Sequence, residues 1–225
     1  MANVLLSWSS GKDSAWALDV LRRDGAFDVV GLLTTFNEAF DRVAMHAVRR
    51  ELVEAQAAAA HLPLATVPLP WPCSNDEYEA RVLTVLADFR RRGVTHLAFG
   101  DLYLADVRDY RVRLLAGSGI KPLFPIWCSP EATGELATTM LAAGLGAVLT
   151  CVDPRQIDRQ LAGRSFDEKL LEELPSGADR CGEQGEFHTF CHRGPMFDRP
   201  IDVQVGESVE RDGFVFADVV IPGLP

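Results

Sequence analysis

The chain has 225 residues, 48% of them apolar and 24% charged, with a formal net charge of −10. That is enough for one large or two small domains with a real core, and the acidic balance speaks against a broad phosphate-backbone footprint on nucleic acid. No apolar run reaches the roughly 18 residues that a membrane span needs. The N-terminus lacks a signal peptide's basic start and small-residue cleavage site, and the five cysteines include no C-x-x-C pair, which suits neither a disulfide framework nor a structural zinc site. The cytoplasm is the expected compartment.

Val4 to Trp8 reads as a first strand ending in a polar loop, and Asp13 to Arg23 has helical spacing with Trp16, Ala17, Val20 and Leu21 on one face. A second strand covers Asp28 to Phe36, a helix His46 to Ala60, and a short strand Leu64 to Pro68. Asn75 is positioned to cap the next helix, with Asp76 and Glu77 in its first turn and a stop near Gly93. Val94 to Phe99 is a buried-type strand, residues 104–116 a helix, and Lys121 to Pro125 another strand. Strands alternating with helices imply a parallel sheet covered on both faces, with ligands beyond the carboxyl ends of the strands.

The pattern changes after about residue 127, where a domain boundary is expected. Glu131 to Ala143 reads as a helix and Ala147 to Val152 as a strand, and a loop-rich stretch runs from Asp153 to Gly185. Three extended runs follow, Phe187 to His192, Ile201 to Val209 and Phe214 to Ile221, the last two joined at an Asp212-Gly213 turn.

The sharpest signal is Ser7-Trp8-Ser9-Ser10-Gly11-Lys12-Asp13-Ser14 between the first strand and helix. Unpaired N–H groups and the positive dipole end at a helix start favour an anion. Ser9, Ser10 and Ser14 add hydroxyls, and Lys12 adds a charge. A Walker A loop fails at two positions, since Leu6 stands where its first Gly belongs and Asp13 follows the Lys. Asp13 beside phosphates makes sense only with Mg²⁺ between them.

The segment Ser9-Ser10-Gly11-Lys12-Asp13-Ser14 resembles the Ser-Gly-Gly-x-Asp-Ser loop of the N-type ATP pyrophosphatases, departing from it at Ser10. Cys181-Gly182-Glu183-Gln184-Gly185-Glu186-Phe187-His188-Thr189-Phe190 is similar to the Gly-Glu-Asn-Gly-Glu-Phe-His-Thr signature of the diphthine–ammonia ligase family. Gly100-Asp101 with Arg108, Tyr110 and Arg111, Phe124-Pro125-Ile126-Trp127 and Gly163 to Asp167 also resemble segments of that family, in order along the whole chain.

The resemblance implies an α/β fold: a parallel five-stranded sheet with helices on both faces, of the adenine nucleotide alpha hydrolase type, plus a smaller α+β C-terminal domain. Residues 1–127 would bind ATP and 128–225 the substrate. It implies a ligase that adenylates a carboxylate with ATP and Mg²⁺, releases pyrophosphate, and forms an amide with ammonia. The nucleotide set is then Ser7, Ser9, Ser10, Gly11, Lys12, Asp13 and Ser14 with Thr34, His46, Gly100 and Asp101, Asp13 holding the metal. Arg108, Tyr110 and Arg111 would meet the acceptor. Lys12, Asp13, Glu183, Glu186 and His188 would be catalytic, the second cluster holding ammonium and taking its proton. Cys181 beside that cluster is a candidate nucleophile. A nucleotide-binding regulatory module, and a pyrophosphatase acting on tRNA, stand as alternatives, and a homodimer is left open.

Overall fold

A computed structural model describes residues 1–43 and 48–223. His46, one of the expected nucleotide ligands, lies outside the described residues.

The first half builds a mostly parallel sheet from β1 (Ala2–Ser7), β2 (Phe27–Asn37), β3 (Arg42–Val43), β4 (Leu64–Leu69), β5 (His96–Ala98) and β6 (Lys121–Leu123). Its order is β3-β2-β1-β5-β6, with β4 also paired to β2. β1, β4, β5 and β6 pair in parallel, as expected. The two-residue β3 is an addition, pairing antiparallel with Phe36 and Asn37 at the end of β2. β5 is shorter than the apolar run around it, yet Thr95 N–H still donates to Asn3 O at 3.0 Å and Phe99 N–H to Leu123 O at 2.9 Å, so the pairing continues past both ends.

Helices α1 (Lys12–Asp24), α2 (Arg50–Ala59), α3 (Asn75–Arg91) and α4 (Ala105–Leu115) connect the strands. α3 is capped by Ser74, whose hydroxyl accepts from Glu77 N–H at 3.2 Å, and Asn75 is the first helical residue rather than the cap. Both faces of β1 are buried: Val4 and Leu6 join one apolar cluster with Leu18 and Leu52, while Leu5 joins another with Leu33, Val82, Leu86 and Leu97. A strand covered on both sides needs this run of apolar residues rather than alternation.

The second half begins with α5 (Thr133–Ala142) and forms an antiparallel sheet from β7 (Gly146–Val152), β8 (Phe187–Arg193), β9 (Gln204–Arg211) and β10 (Phe214–Val220), in the order β8-β7-β10-β9. The stretch that reads as loop also contains α6 (Glu168–Glu173), started by Asp167, whose carboxylate accepts from Leu170 N–H at 2.8 Å. α1 lies between the sheets. Its core residues Ala15, Trp16 and Leu18 belong to the same apolar cluster as Leu149, Phe187 and Phe190, so the segment around Glu183 is carried to the start of α1.

Candidate functional site

The loop after β1 is shaped from behind by buried groups. Ser10 O accepts from Cys191 N–H and from Gln56 Nε2, each at 2.9 Å. Gln56 Oε1 accepts from Trp8 Nε1 at 2.8 Å, and its Nε2 also donates to Cys191 O at 2.6 Å. Gln56 is fully buried on the apolar side of α2, and a buried amide must satisfy its donors and acceptor; here it does so by fixing the loop.

At the start of α1, Lys12 N–H donates to Thr189 Oγ1 of β8 at 3.0 Å. Gly11 is the cap, and no side chain caps the helix from that position. Asp13 N–H is directed at its own carboxylate, and among the described residues none accepts from Ser14 N–H. Both belong to the first turn of the helix, in the field of its positive end. They face a cleft of about 220 Å³, lined in part by Ser7, Ser9, Lys12, Asp13 and Ser14. Ser9 Oγ donates to Ser14 Oγ at 3.1 Å, and Ser14 Oγ donates to Gly11 O at 3.0 Å.

The opposite wall is Gly100, Asp101, Arg111, Glu183 and His188. Gly100 comes so near that an added Cβ would stand 2.8 Å from Ser14 N and 2.9 Å from the Asp13 carbonyl carbon. A side chain here would press into the peptide that carries the open donor, so the position requires glycine. Asp101 Oδ2 accepts from Arg111 Nε at 3.3 Å. Glu183 Oε1 accepts from Leu102 N–H at 2.8 Å. Burial, with Asp13 and Asp101 nearby, pushes the Glu183 carboxyl up to about 7, although the Leu102 N–H pulls it down. Burial lowers His188 to about 4, and the Lys12 charge adds to this, so its ring is neutral at neutral pH.

Lys12 does not extend an empty ammonium into the cleft. Its Nζ is 2.8 Å from Asp13 Oδ2, donates to the Cys181 carbonyl, and sits 5.4 Å from the ring centroids of both Phe166 and Phe187. Burial alone would lower its pKa, but Asp13 and the neighbouring acidic groups outweigh that and the net direction is up. Lys12 is therefore charged, and it ties the 179–188 loop to the start of α1.

Two halves thus meet at one cleft, and similarity to known sequences covers both. The family model described as the diphthamide synthase N-terminal domain matches residues 2–122, and that described as the diphthamide synthase C-terminal domain matches residues 132–218. The chain belongs to the diphthamide synthase family. It is similar to the diphthine--ammonia ligase of Danio rerio, at 32% identity over 123 residues, which cover 52% of this chain and 47% of the relative. The match spans about half the length of that curated relative.

Within this family member, several expected site residues have other duties. Thr34 is buried, and its hydroxyl donates to Trp8 O at 2.9 Å. Its neighbour Thr35 lines a second cleft of about 220 Å³, with Leu33, Val43, Tyr78 and Val82, which shares Ser7, Ser9, Phe99 and Arg111 with the first. Ser10 is turned inward: φ is 70°, and its buried Oγ has no partner. Glu186 is buried too, its two oxygens accepting from Asp179 N–H at 2.7 Å and Gln184 N–H at 3.0 Å. It folds the loop that presents Glu183 and lines neither cleft. Gly182 is held at φ 74° with Phe187 O only 2.8 Å from where a Cβ would lie, which permits that tight loop.

Arg111 lines both clefts, but Arg108 and Tyr110 do not. Tyr110 packs against the second apolar cluster, and burial pushes its hydroxyl up to about 12. Cys181 is a buried thiol whose sulfur lies 3.4 Å from Thr133 O; burial raises its pKa, the opposite of what a nucleophile needs. Thr35, Thr189 and Gln56 were not singled out from the sequence. Alternation along β2 places Thr35 beside Leu33 and Thr34 beside Leu32, a signal that separates the two threonines; Gln56 in an alanine-rich helix gives none.

Proposed function

We propose that the chain is an ATP-dependent ligase that converts a carboxylate and ammonia into an amide. The observation that carries this is the combination of the first-turn N–H donors of α1, of which Ser14 N–H has no acceptor among the described residues, with the carboxylates of Asp13, Asp101 and Glu183 around one cleft. The donors suit a polyphosphate. The carboxylates would repel it unless a divalent cation intervened. Among the described residues no group of three His, Cys, Asp or Glu could hold a metal ion, so Asp13 would contribute one ligand and the phosphates and water the rest, as is usual for Mg²⁺. When bound, Mg²⁺ would supply charge neutralisation to the departing pyrophosphate. The relative's name, a diphthine--ammonia ligase, and the family membership support the ligase class.

In this reading the β- and γ-phosphates lie at the start of α1, and the base enters the more apolar cleft between Leu33, Thr35, Tyr78 and Val82. A carboxylate oxygen of the acceptor attacks the α-phosphorus, the bond to the pyrophosphate oxygen breaks, and Arg111 faces the developing charge. Ammonia then attacks the acyl carbon, and AMP leaves with the former carboxylate oxygen. Glu183 accepts the proton lost by the nitrogen, for which a pKa of about 7 is suitable. We place the division between a nucleotide-binding and a substrate-binding region near residue 127. All five cysteines are free, which suits the reducing cytoplasm.

Product analysis by phosphorus NMR, with ATP, Mg²⁺, ammonium and a panel of acids, tests the reading. Acid-stimulated formation of AMP and pyrophosphate is expected. ADP and phosphate instead, or no nucleotide binding at all, would overturn it.

A further inference from the structure

We infer that Asp218, on β10 of the second sheet, is a positioning residue for the nucleotide, holding one wall of the cleft that takes the base. The inference rests on the ligase reading above and gives its nucleotide site a residue from the other half of the chain. The Asp218 carboxylate meets two arginines of the first half. Its Oδ1 accepts from Arg42 Nη1 at 2.9 Å and from Arg49 Nε at 3.2 Å, and its Oδ2 accepts from Arg49 Nη2 at 2.7 Å. The pairing with Arg49 is bidentate, the geometry in which an arginine–carboxylate contact is strongest and most directional. All three side chains are partly buried, at 28–32% exposure, so solvent screens the contact only in part.

The two arginines bracket the wall of the second cleft. Arg42 and Arg49 stand opposite each other in an antiparallel bridge, and just inside them Val43 N–H donates to Val48 O at 2.8 Å. Val43 is buried, pairs with Phe36 of β2, and lines the cleft together with Thr35. Like charges directly opposite on paired strands repel, and a carboxylate placed between them turns that repulsion into attraction. Glu51 is also 3.7 Å from Arg49, but it lies in α2 and does not join the two halves. Asp218 does. Its strand β10 pairs with β7, and β7 with β8, which brings His188 and Thr189 to the first cleft. One sheet therefore both walls the phosphate cleft and sets Val43 in the base cleft. Without the Asp218 charge the guanidinium groups push apart and Val43 withdraws from the base. The phosphate end keeps its own supports, Thr189 on Lys12 N–H and Gln56 on Ser10 O.

Calorimetry on the full chain tests this with two magnesium-bound probes, α,β-methylene-ATP and inorganic tripolyphosphate, which share the phosphates and differ in the base and sugar. Failure of either probe to bind the wild-type chain sinks the ligase reading, and this inference with it. With both bound, Asp218→Asn is expected to weaken the nucleotide analogue by about ten-fold and to leave tripolyphosphate affinity unchanged. Asp218→Glu, which keeps the charge, should recover part of the loss. Arg49→Gln, which leaves Arg42 paired with Asp218 and removes the repulsion, is the milder variant should Asp218→Asn not fold; it should weaken the analogue by about three-fold, again without effect on tripolyphosphate. Equal weakening of both probes would reduce Asp218 to a general structural contact. That result, or an undiminished affinity for the analogue, overturns the proposal and leaves the ligase reading standing.

Discussion

The N–H of Lys12, at the start of α1, is hydrogen-bonded at 3.0 Å to the hydroxyl of Thr189, on β8 of the other sheet. One of the donors that a helix terminus leaves over is thereby spent on joining the two halves, and that of Ser14 remains without an acceptor among the described residues. Thr189→Val keeps the shape and removes the acceptor. A buried N–H left without a partner costs roughly 1–3 kcal/mol, so the urea midpoint should fall. Nucleotide affinity should fall with it, because the helix start is no longer fixed against β8. Thr189→Ser should retain most of both. Equal stability of the Val and Ser variants would remove the role given to this bond.

Ser10 stands where the Ser-Gly-Gly-x-Asp-Ser loop that this segment resembles has glycine, and its φ of 70° lies in the region that favours glycine. A non-glycine residue in this region costs roughly 1–2 kcal/mol, and the Ser10 hydroxyl is buried without a partner, a further penalty. Ser10→Gly should therefore stabilise the protein by about 1 kcal/mol after the entropy of the added glycine is subtracted. For a chain of this size that raises the melting temperature by roughly 2–4 °C. A thermal melt that moves downward would show the strain to be absent.

The parallel sheet was legible because β1, β2, β4 and β5 are compact apolar runs ended by polar loops, and the position of the loop Ser9 to Ser14 follows from that order. What escaped the sequence was direction within an element. Glu186 and Glu183 are equivalent as text, yet one is enclosed by backbone N–H groups and the other faces the cleft. Lys12 likewise reads as a free charge until its contacts with Asp13 and Cys181 are seen. β3 and α6 escaped for a different reason. Two residues and six residues are too short for a periodic signal.

The two threonines of β2 provide a test of which cleft takes the nucleotide base. Thr34→Val removes the bond to Trp8 O and should cost about 1 kcal/mol of stability, with little change in nucleotide affinity. Thr35→Leu adds bulk inside the apolar cleft and should weaken nucleotide binding by about ten-fold or more with the fold intact. Calorimetric titration of both variants separates the cases; the opposite ranking would move the base elsewhere.

Asp13→Asn keeps an oxygen beside Lys12 and removes the charge that a cation would need. Turnover should drop by about 100-fold or more, as when one strong electrostatic contact to a transition state is lost, and higher Mg²⁺ should recover part of it. The buried Lys12 ammonium loses its ionic partner at the same time, so stability should also fall. A variant with near-normal activity would argue against a metal held at Asp13.

Glu183 and His188 should impose opposite pH dependences on stability. The Glu183 carboxyl titrates at about 7 in the fold against 4.5 when exposed. Between those values the folded chain binds more protons than the unfolded one, so stability falls as pH rises through this window and is level above it. His188 titrates at about 4 against 6.5. There the unfolded chain binds more protons, and stability rises with pH across that interval. The two slopes partly cancel in the wild type. Glu183→Gln removes the first and should expose the second, so that the variant's urea midpoint climbs more steeply between pH 4.5 and 6.5. The same substitution should abolish an inflection near pH 7 in the amide-forming rate, measured at a fixed concentration of free ammonia, where the wild-type rate increases as the carboxylate becomes able to take a proton. Persistence of that inflection in the Gln variant would transfer the role of base to another group.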